Sequence, residues 1–448
     1  MISSWLKKVR KLTLRVRPQS HLAVSRHEPT ILARKEHTLS RNDISDHALK
    51  VLYRLHKHGY QAFLVGGAVR DLLLGLHPKD FDVATDAKPE EVRALFRNCR
   101  LIGRRFRLAH VYFGPEIIEV ATFRGTHSAE EINDSHSSEG MILRDNVYGT
   151  LEDDAWRRDF TVNALYYNIK DYSVVDFTGG LTDLKNRELR LIGSPEKRFR
   201  EDPVRILRVI RFASKLNLNI ARDLVDPIRA FKDLIPSVST ARLFEEVLKI
   251  FHSGAAVKGY ELLKNYGIFE ILFPYTSMTF EKKRFPFDKF LANVFESTDK
   301  RISADKGVTP AFLFAALFWY PICDKAEETI LESAMPRHLA RDQLMEPLFQ
   351  EQLRVLGVPR RILQVVREIL TLQMRMEKKP TRRVERILFE PRFRAAFDFL
   401  EMRKMAGEDL GNVVEWWQSY YEADTKSRKK MTRHLHGHRS KRPARSEK

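Results

Sequence analysis

One stretch, Phe63-Leu-Val-Gly-Gly-Ala-Val-Arg-Asp-Leu-Leu-Leu-Gly-Leu-His-Pro-Lys-Asp-Phe-Asp-Val83, leaves this chain few options. Phe63 to Val65 is a short apolar run of the kind that forms a buried strand. It breaks at Gly66-Gly67, and a helical pattern follows from Ala68 to Leu74, with Gly75 placed to stop it. A strand, a glycine turn and a helix in that order let an anionic ligand approach backbone N–H groups, because glycine has no Cβ to keep it away. Arg70, in the first helical turn, can add a charge-assisted contact. Asp80-Phe81-Asp82 follows. In extended chain residues i and i+2 share a face, so Asp80 and Asp82 project together while Phe81 and Val83 pack behind. Adjacent carboxylates repel unless a cation lies between them, and hard oxygen ligands suit Mg²⁺, which usually takes one or two carboxylates plus substrate phosphates. The stretch therefore predicts a phosphate cradle beside a metal site held by Asp80 and Asp82. A glycine turn followed by two solvated aspartates is the plainer alternative, and both halves at this spacing argue against it.

At these residues the chain resembles the class II nucleotidyltransferases, which include the CCA-adding tRNA nucleotidyltransferases and the bacterial poly(A) polymerases. Gly66-Gly67-Ala-Val-Arg70-Asp71 followed by Asp80-Phe-Asp82 is similar to that family's signature, and further matches run from about Ser40 to about Pro274. The resemblance implies an α+β fold: an N-terminal nucleotidyltransferase head with a small mixed β-sheet flanked by helices, then an all-α neck, body and RNA-binding region.

The charge balance is 78 basic against 59 acidic residues, a net +19. Charge of this size attracts polyanions such as RNA, DNA or an anionic membrane surface. Two cysteines, Cys99 and Cys323, offer neither a disulfide framework nor zinc-finger spacing, which fits a reducing cytoplasm. No run reaches the roughly 18 apolar residues of a membrane span; Pro310 to Ile322 reads as a buried helix. We read the protein as a cytoplasmic monomer.

In chain order, residues 1–39 read as a flexible basic arm, and residues 40–158 as the catalytic head. Asp43-Ile-Ser-Asp46 caps a helix with Ala48, Val51, Leu52 and Leu55 on its apolar side and Gly59 at its end; Pro89-Glu90-Glu91 opens another. Leu108–Phe113 and Ile117–Phe123 form a hairpin around Gly114-Pro115. Glu119 lies on a strand face with Ile117 and Ala121, where an acid is costly without a partner, and a metal at Asp80 and Asp82 would be one. Residues 125–150 read as a mobile loop over the site, with His127 and His136 as ordinary loop histidines.

The segment Arg157-Arg158-Asp159-Phe160-Thr161-Val162-Asn163-Ala164-Leu165 is similar to the family motif that joins the head to the next domain. Asp159 stands where an N-cap would, before a predicted helix from Phe160 to Tyr167. The resemblance implies a place for Asp159 beside the catalytic carboxylates, so Glu119 and Asp159 compete for the third-carboxylate role. Arg157 and Arg158 suit triphosphate oxygens.

Residues 159–274 form the neck. There Glu201-Asp202-Pro203-Val204-Arg205 opens a helix whose Arg205, Arg208 and Arg211 form a stripe, opposite Ile206, Leu207, Val209 and Ile210. Asp202 with Arg205 can offer an acceptor and donors to a base edge, and the segment looks like the family's nucleotide-selecting motif, with Arg208 next along the stripe. A helical RNA-binding body spans 275–425, in which Phe389, Phe393 and Phe397 read as core. Residues 426–448 hold ten basic residues against Glu447 and read as a disordered polyanion-binding tail.

Leu101-Ile-Gly-Arg-Arg-Phe-Arg-Leu-Ala-His110 resembles the stretch typical of the poly(A)-adding branch of the family. That branch adds AMP from ATP to RNA 3′ ends without a template, using Mg²⁺, and the resemblance also suggests contact with an RNA chaperone and RNA-decay enzymes. CCA addition to tRNA is the alternative within the family, and a non-catalytic RNA-binding adapter is the alternative outside it.

Overall fold

The computed structural model describes residues 28–103, 107–125, 147–377 and 384–433. The head is built on an eight-stranded mixed sheet. Its strands in chain order are β1 (Thr30–Leu32), β2 (Ala62–Val65), β3 (Asp82–Thr85), β4 (Cys99–Ile102), β5 (Leu108–Phe113), β6 (Glu116–Thr122), β7 (Leu165–Asn168) and β8 (Val174–Asp176). In space the order is β1-β8-β7-β2-β3-β6-β5-β4, antiparallel throughout except for the parallel pair β3–β6. All four residues of β2 are buried, as a central strand covered on both faces requires. β6 alternates, with Ile118, Val120 and Thr122 inward and Ile117, Glu119 and Ala121 on the more open side. Glu119 thus faces the open side of the sheet; the apolar face expected around it lies on the opposite side of the strand.

The Asp46–Lys57 helix covers one sheet face with Ala48, Val51, Leu52 and Leu55, and Ser45 caps it by accepting the His47 N–H at 3.2 Å. On the other face, Phe63, Val65, Ala84, Phe123, Ala155, Tyr166 and Val175 form a separate apolar cluster. After the head the chain is almost wholly helical. The Val204–Lys215 helix packs on Thr240–Phe251 and Ala256–Asn265, and the 24-residue Pro310–Ser333 helix is buried along most of its first two-thirds. Arg403 is buried over the Trp319 ring and reaches Glu408 at 2.5 Å and Glu377 at 2.6 Å.

Five expectations are corrected. The segment expected as a helix from Phe160 to Tyr167 is a short 3₁₀ turn, Thr161–Asn163, followed by strand β7. Tyr166 and Tyr167 point to opposite sheet faces and both are buried, an arrangement that aromatics favour in a strand. The sheet therefore continues past residue 158. The expected arm ends in structure: β1 pairs with β8 at the sheet edge and Leu39 is buried; residues 1–27 lie outside the described residues. The expected tail begins with a helix, Thr425–Arg433. Asp424 caps it by accepting the Ser427 N–H at 2.7 Å, and Arg428 donates to the Tyr420 and Tyr421 carbonyls at 2.9 and 2.7 Å. Residues 434–448 lie outside the described residues, as do 126–146 of the expected loop with His127 and His136. Phe393 and Phe397 are core, but Phe389 is 72% exposed.

Candidate active site

The turn after β2 is the first part of the site. Gly66 has φ +73° and ψ −132°, a conformation that only glycine adopts readily, and the Gly67–Leu73 helix starts directly behind it. A Cβ on Gly66 would lie 3.4 Å from an Arg158 guanidinium nitrogen. Gly75, at φ +73°, ends the helix as its position implies.

β3 begins at Asp82, directly across from Val65 on β2 and from Glu119 on the parallel strand β6; His110 on β5 stands opposite Glu119 in turn. This register lines Asp82, Glu119 and His110 in a row across three strands, with His110 Nε2 at 3.4 Å from Glu119 Oε2. Asp80 lies two residues before the strand and is close enough to act on Asp82 by its charge. Phe81 and Val83 pack behind, into the main core. Desolvation, then the Glu119 charge, with a smaller push from Asp80, raise the Asp82 carboxyl from 3.8 to about 6, against the pull of Arg158 and His110. Like charges held together by backbone register are an uncompensated site for a hard cation. Among the described residues no three His, Cys, Asp or Glu side chains gather into a complete ligand set. The donors fit a divalent ion that completes its shell with water and substrate phosphate.

Asp159 sits elsewhere. Its carboxylate receives the Arg208 guanidinium, with Arg208 Nε at 2.8 Å, and also accepts the Phe160 N–H at 2.9 Å. Burial would raise its pKa, but the Arg208 charge and hydrogen bonds hold it below the usual carboxylate range. Arg70 is 3% exposed, donates to Asp71 Oδ1 from Nε at 2.8 Å, and bonds the Asn163 side-chain oxygen. It stiffens the turn from beneath. Arg158 is held by Asp154 at 3.0 Å and by the Tyr166 hydroxyl at 2.9 Å. Arg157 donates to the Gly125 carbonyl at 2.5 Å.

Beside this row lies a cavity of about 320 Å³ lined by Arg157, Arg158, Asp159, Asp202, Arg205 and Arg208, and also by Arg242, Glu245 and Glu246. The arginine stripe is built into ion pairs: Arg205 with Glu201 at 3.0 Å, Arg208 with Asp159, and Arg211 with the buried Glu246 at 2.9 Å. Arg242 reaches Asp202 at 2.8 Å. Arg242, Glu245 and Glu246 were not foreseen as site residues. Their spacing on the Thr240–Phe251 helix, with two acids on one turn after an arginine, was the available signal.

Three family models match the chain. Residues 62–190 match the poly A polymerase head domain, 217–279 the probable RNA and SrmB-binding site of polymerase A, and 333–448 the polymerase A arginine-rich C-terminus. Poly(A) polymerase I of Salmonella typhimurium is 46% identical over 95% of this chain and 93% of its own length. The chain belongs to the poly(A) polymerase I family. Poly(A) polymerase I of Haemophilus influenzae is 44% identical over 91% of both chains. Among solved structures, the Bacillus stearothermophilus CCA-adding enzyme in complex with CTP matches with a TM-score of 0.53 at 26% identity, over 84% of this chain and 81% of that one. Membership makes this chain a polyadenylating nucleotidyltransferase, with the CCA-adding enzymes as more distant relatives. The poly(A) polymerase head model ends at residue 190, so it takes in β7 and β8 with the rest of the sheet. Among the described residues no helix is long and apolar enough to cross a membrane.

Proposed function

We propose that the chain transfers AMP from ATP to RNA 3′ ends with Mg²⁺ at Asp80 and Asp82, and with Glu119 as the third carboxylate. The cross-strand row of Asp82, Glu119 and His110 beside the Gly66 turn carries this reading. Asp159 then acts on nucleotide selection, by fixing Arg208 in the wall of the 320 Å³ cavity. Bound there, Mg²⁺ would favour the 3′-oxyanion of the RNA and offset charge on the ATP phosphates. Gly66 and Gly67 let the triphosphate approach the backbone, and Arg158, behind Gly66, contributes positive charge. Asp202 and Arg205 offer an acceptor and donors to the adenine edge, with Arg242 fixing the Asp202 carboxylate. Such a site works mainly by positioning and charge stabilisation.

RNA contacts fall to residues 217–279 and the basic C-terminal region, on the strength of the matching models. The buried free thiols Cys99 and Cys323 suit a reducing cytoplasm. The test is Asp82→Ala and, separately, Asp80→Ala. Each abolishes AMP transfer while RNA affinity stays near that of the parent. A loss of RNA affinity as large as the loss of transfer would remove the metal-holding role.

A further inference from the structure

At the end of β2 away from the glycine turn, the head carries a cavity of about 590 Å³, lined by none of the residues assigned above to AMP transfer. Tyr53 and His56 of the Asp46–Lys57 helix form one wall. Tyr60 and Gln61, just before β2, form the floor, and Asn168, Lys170 and Tyr172 of the β7–β8 turn form the other wall. Tyr53 is 44% exposed.

Arg41 joins the two walls. It donates to the Tyr53 hydroxyl at 3.0 Å and lies 4.9 Å over the Tyr172 ring. Neither Arg41 nor Lys170 has an acidic partner at ion-pair distance among the described residues, whereas Arg158, Arg205, Arg208, Arg211 and Arg242 around the active site each pair with an acid. Of the nearby acids, Asp171 caps its own turn through Ser173, and Asp86 accepts the Gln61 N–H at 2.8 Å.

Two features mark the rim as more than a surface hollow. Tyr172 is held at φ +63°, which costs a non-glycine residue on the order of 1 kcal/mol or more. Its N–H donates to the Asn168 carbonyl at 2.8 Å, and its own carbonyl receives His37 Nε2 at 2.8 Å. The turn thus spends stability to set this ring beneath Arg41. Second, next to the rim though not lining the cavity, the Tyr167 hydroxyl is buried without a hydrogen-bond partner, within electrostatic reach of Arg34, Arg41, Tyr172 and Tyr53.

We propose that this rim is a second RNA-binding site, which takes an unpaired base and its phosphate from the single strand upstream of the 3′ end. Aromatic faces stack bases without regard to sequence, and uncompensated cations beside them suit the phosphate. That sequence tolerance suits an enzyme acting on many unrelated 3′ ends. The rim and the glycine turn lie at opposite ends of β2, about 13 Å apart at the usual rise of a strand, so an RNA touching both must pass around the head and extend well beyond that span. The inference rests on RNA being the substrate.

The test uses the full chain with Tyr53→Ala and Tyr172→Asn, since asparagine tolerates a positive φ. Affinity is measured for a long unstructured RNA blocked at its 3′ end, and AMP addition is measured on a very short primer. Each variant is expected to bind the long RNA about fivefold or more weakly, the loss of one base stack, with addition to the short primer unchanged. Long RNA carrying 4-thiouridine should cross-link to peptides holding Tyr53 or Tyr172. If the parent binds RNA and both variants match it, the rim fails alone. If short-primer addition falls in step with long-RNA affinity, the lesion has reached the active site and the rim proposal also fails. If the parent holds no RNA, the RNA reading fails first and the rim falls with it.

Discussion

Asp82→Asn should make the protein more stable while making it inactive. In the folded chain Asp82 faces Glu119 across the sheet, with Asp80 close by, and its carboxyl is raised from 3.8 to about 6. Between these values the folded protein keeps a proton that the unfolded chain has released. Stability therefore falls as pH rises through that window. Fully shielded from water, the rise would correspond to about 3 kcal/mol. The Asp82 tip is open to solvent, and screening reduces this to about 1 kcal/mol. The asparagine variant lacks the ionising group, so its advantage should be absent near pH 4 and complete above about pH 6.5. In thermal melts without divalent metal at pH 7.5, the variant should melt about 1–2 °C above the parent, a small shift because the chain is long. Added Mg²⁺ should raise the melting temperature of the parent and leave that of the variant nearly unmoved, because only the parent keeps the full cation site. A variant less stable than the parent without metal, or equal stabilisation of both by Mg²⁺, would refute the reasoning.

Arg208→Ala strips the cation from the mostly buried Asp159 and should cost about 3 kcal/mol of stability in chemical denaturation. It should also raise the KM for ATP, whereas Asp159→Asn should affect ATP use without weakening Mg²⁺-dependent stabilisation. Gly66→Ala forces a side chain into a positive-φ position beside Arg158, so a loss of about 1–3 kcal/mol and poor ATP binding are expected by calorimetry. Arg403→Met leaves Glu408 without its buried cation while Glu377 keeps Arg341 at 2.8 Å, and a loss of about 3 kcal/mol is expected in urea titration. Truncation after Arg433 removes Arg439, Lys441, Arg442, Arg445 and Lys448. It should flatten the dependence of RNA affinity on salt, read from binding at several ionic strengths, and leave the melting temperature unchanged.

Local chemistry was legible in the sequence where it is written within a few residues. A cap within Asp43–Asp46, the apolar side of the helix that follows, the Gly66 turn, the β5–β6 hairpin and a buried helix over Pro310 to Ile322, which in fact runs on to Ser333, were all readable from neighbours in the chain. Long-range pairing was not. Nothing near Glu119 in the chain says that parallel register sets it beside Asp82, so the sequence offered no ground to prefer it to Asp159. Asp159 and Arg208 are 49 positions apart, and their ion pair gives Asp159 a partner that local spacing could not supply. Arg70 was expected to reach phosphate because it follows the glycine turn; its bond to Asn163, far along the chain, was not legible locally. The β7 segment was misread because Asp159 stands where an N-cap would, while the strand's evidence, burial on both faces, exists only in the assembled sheet.

The most direct measurement of the central claim is extension of a short unstructured RNA that lacks a terminal CC, with Mg²⁺ and each nucleoside triphosphate supplied separately. A long ladder is expected with ATP alone. Extension confined to a tRNA lacking its 3′ end, with CTP required before ATP, would contradict it and assign CCA addition instead.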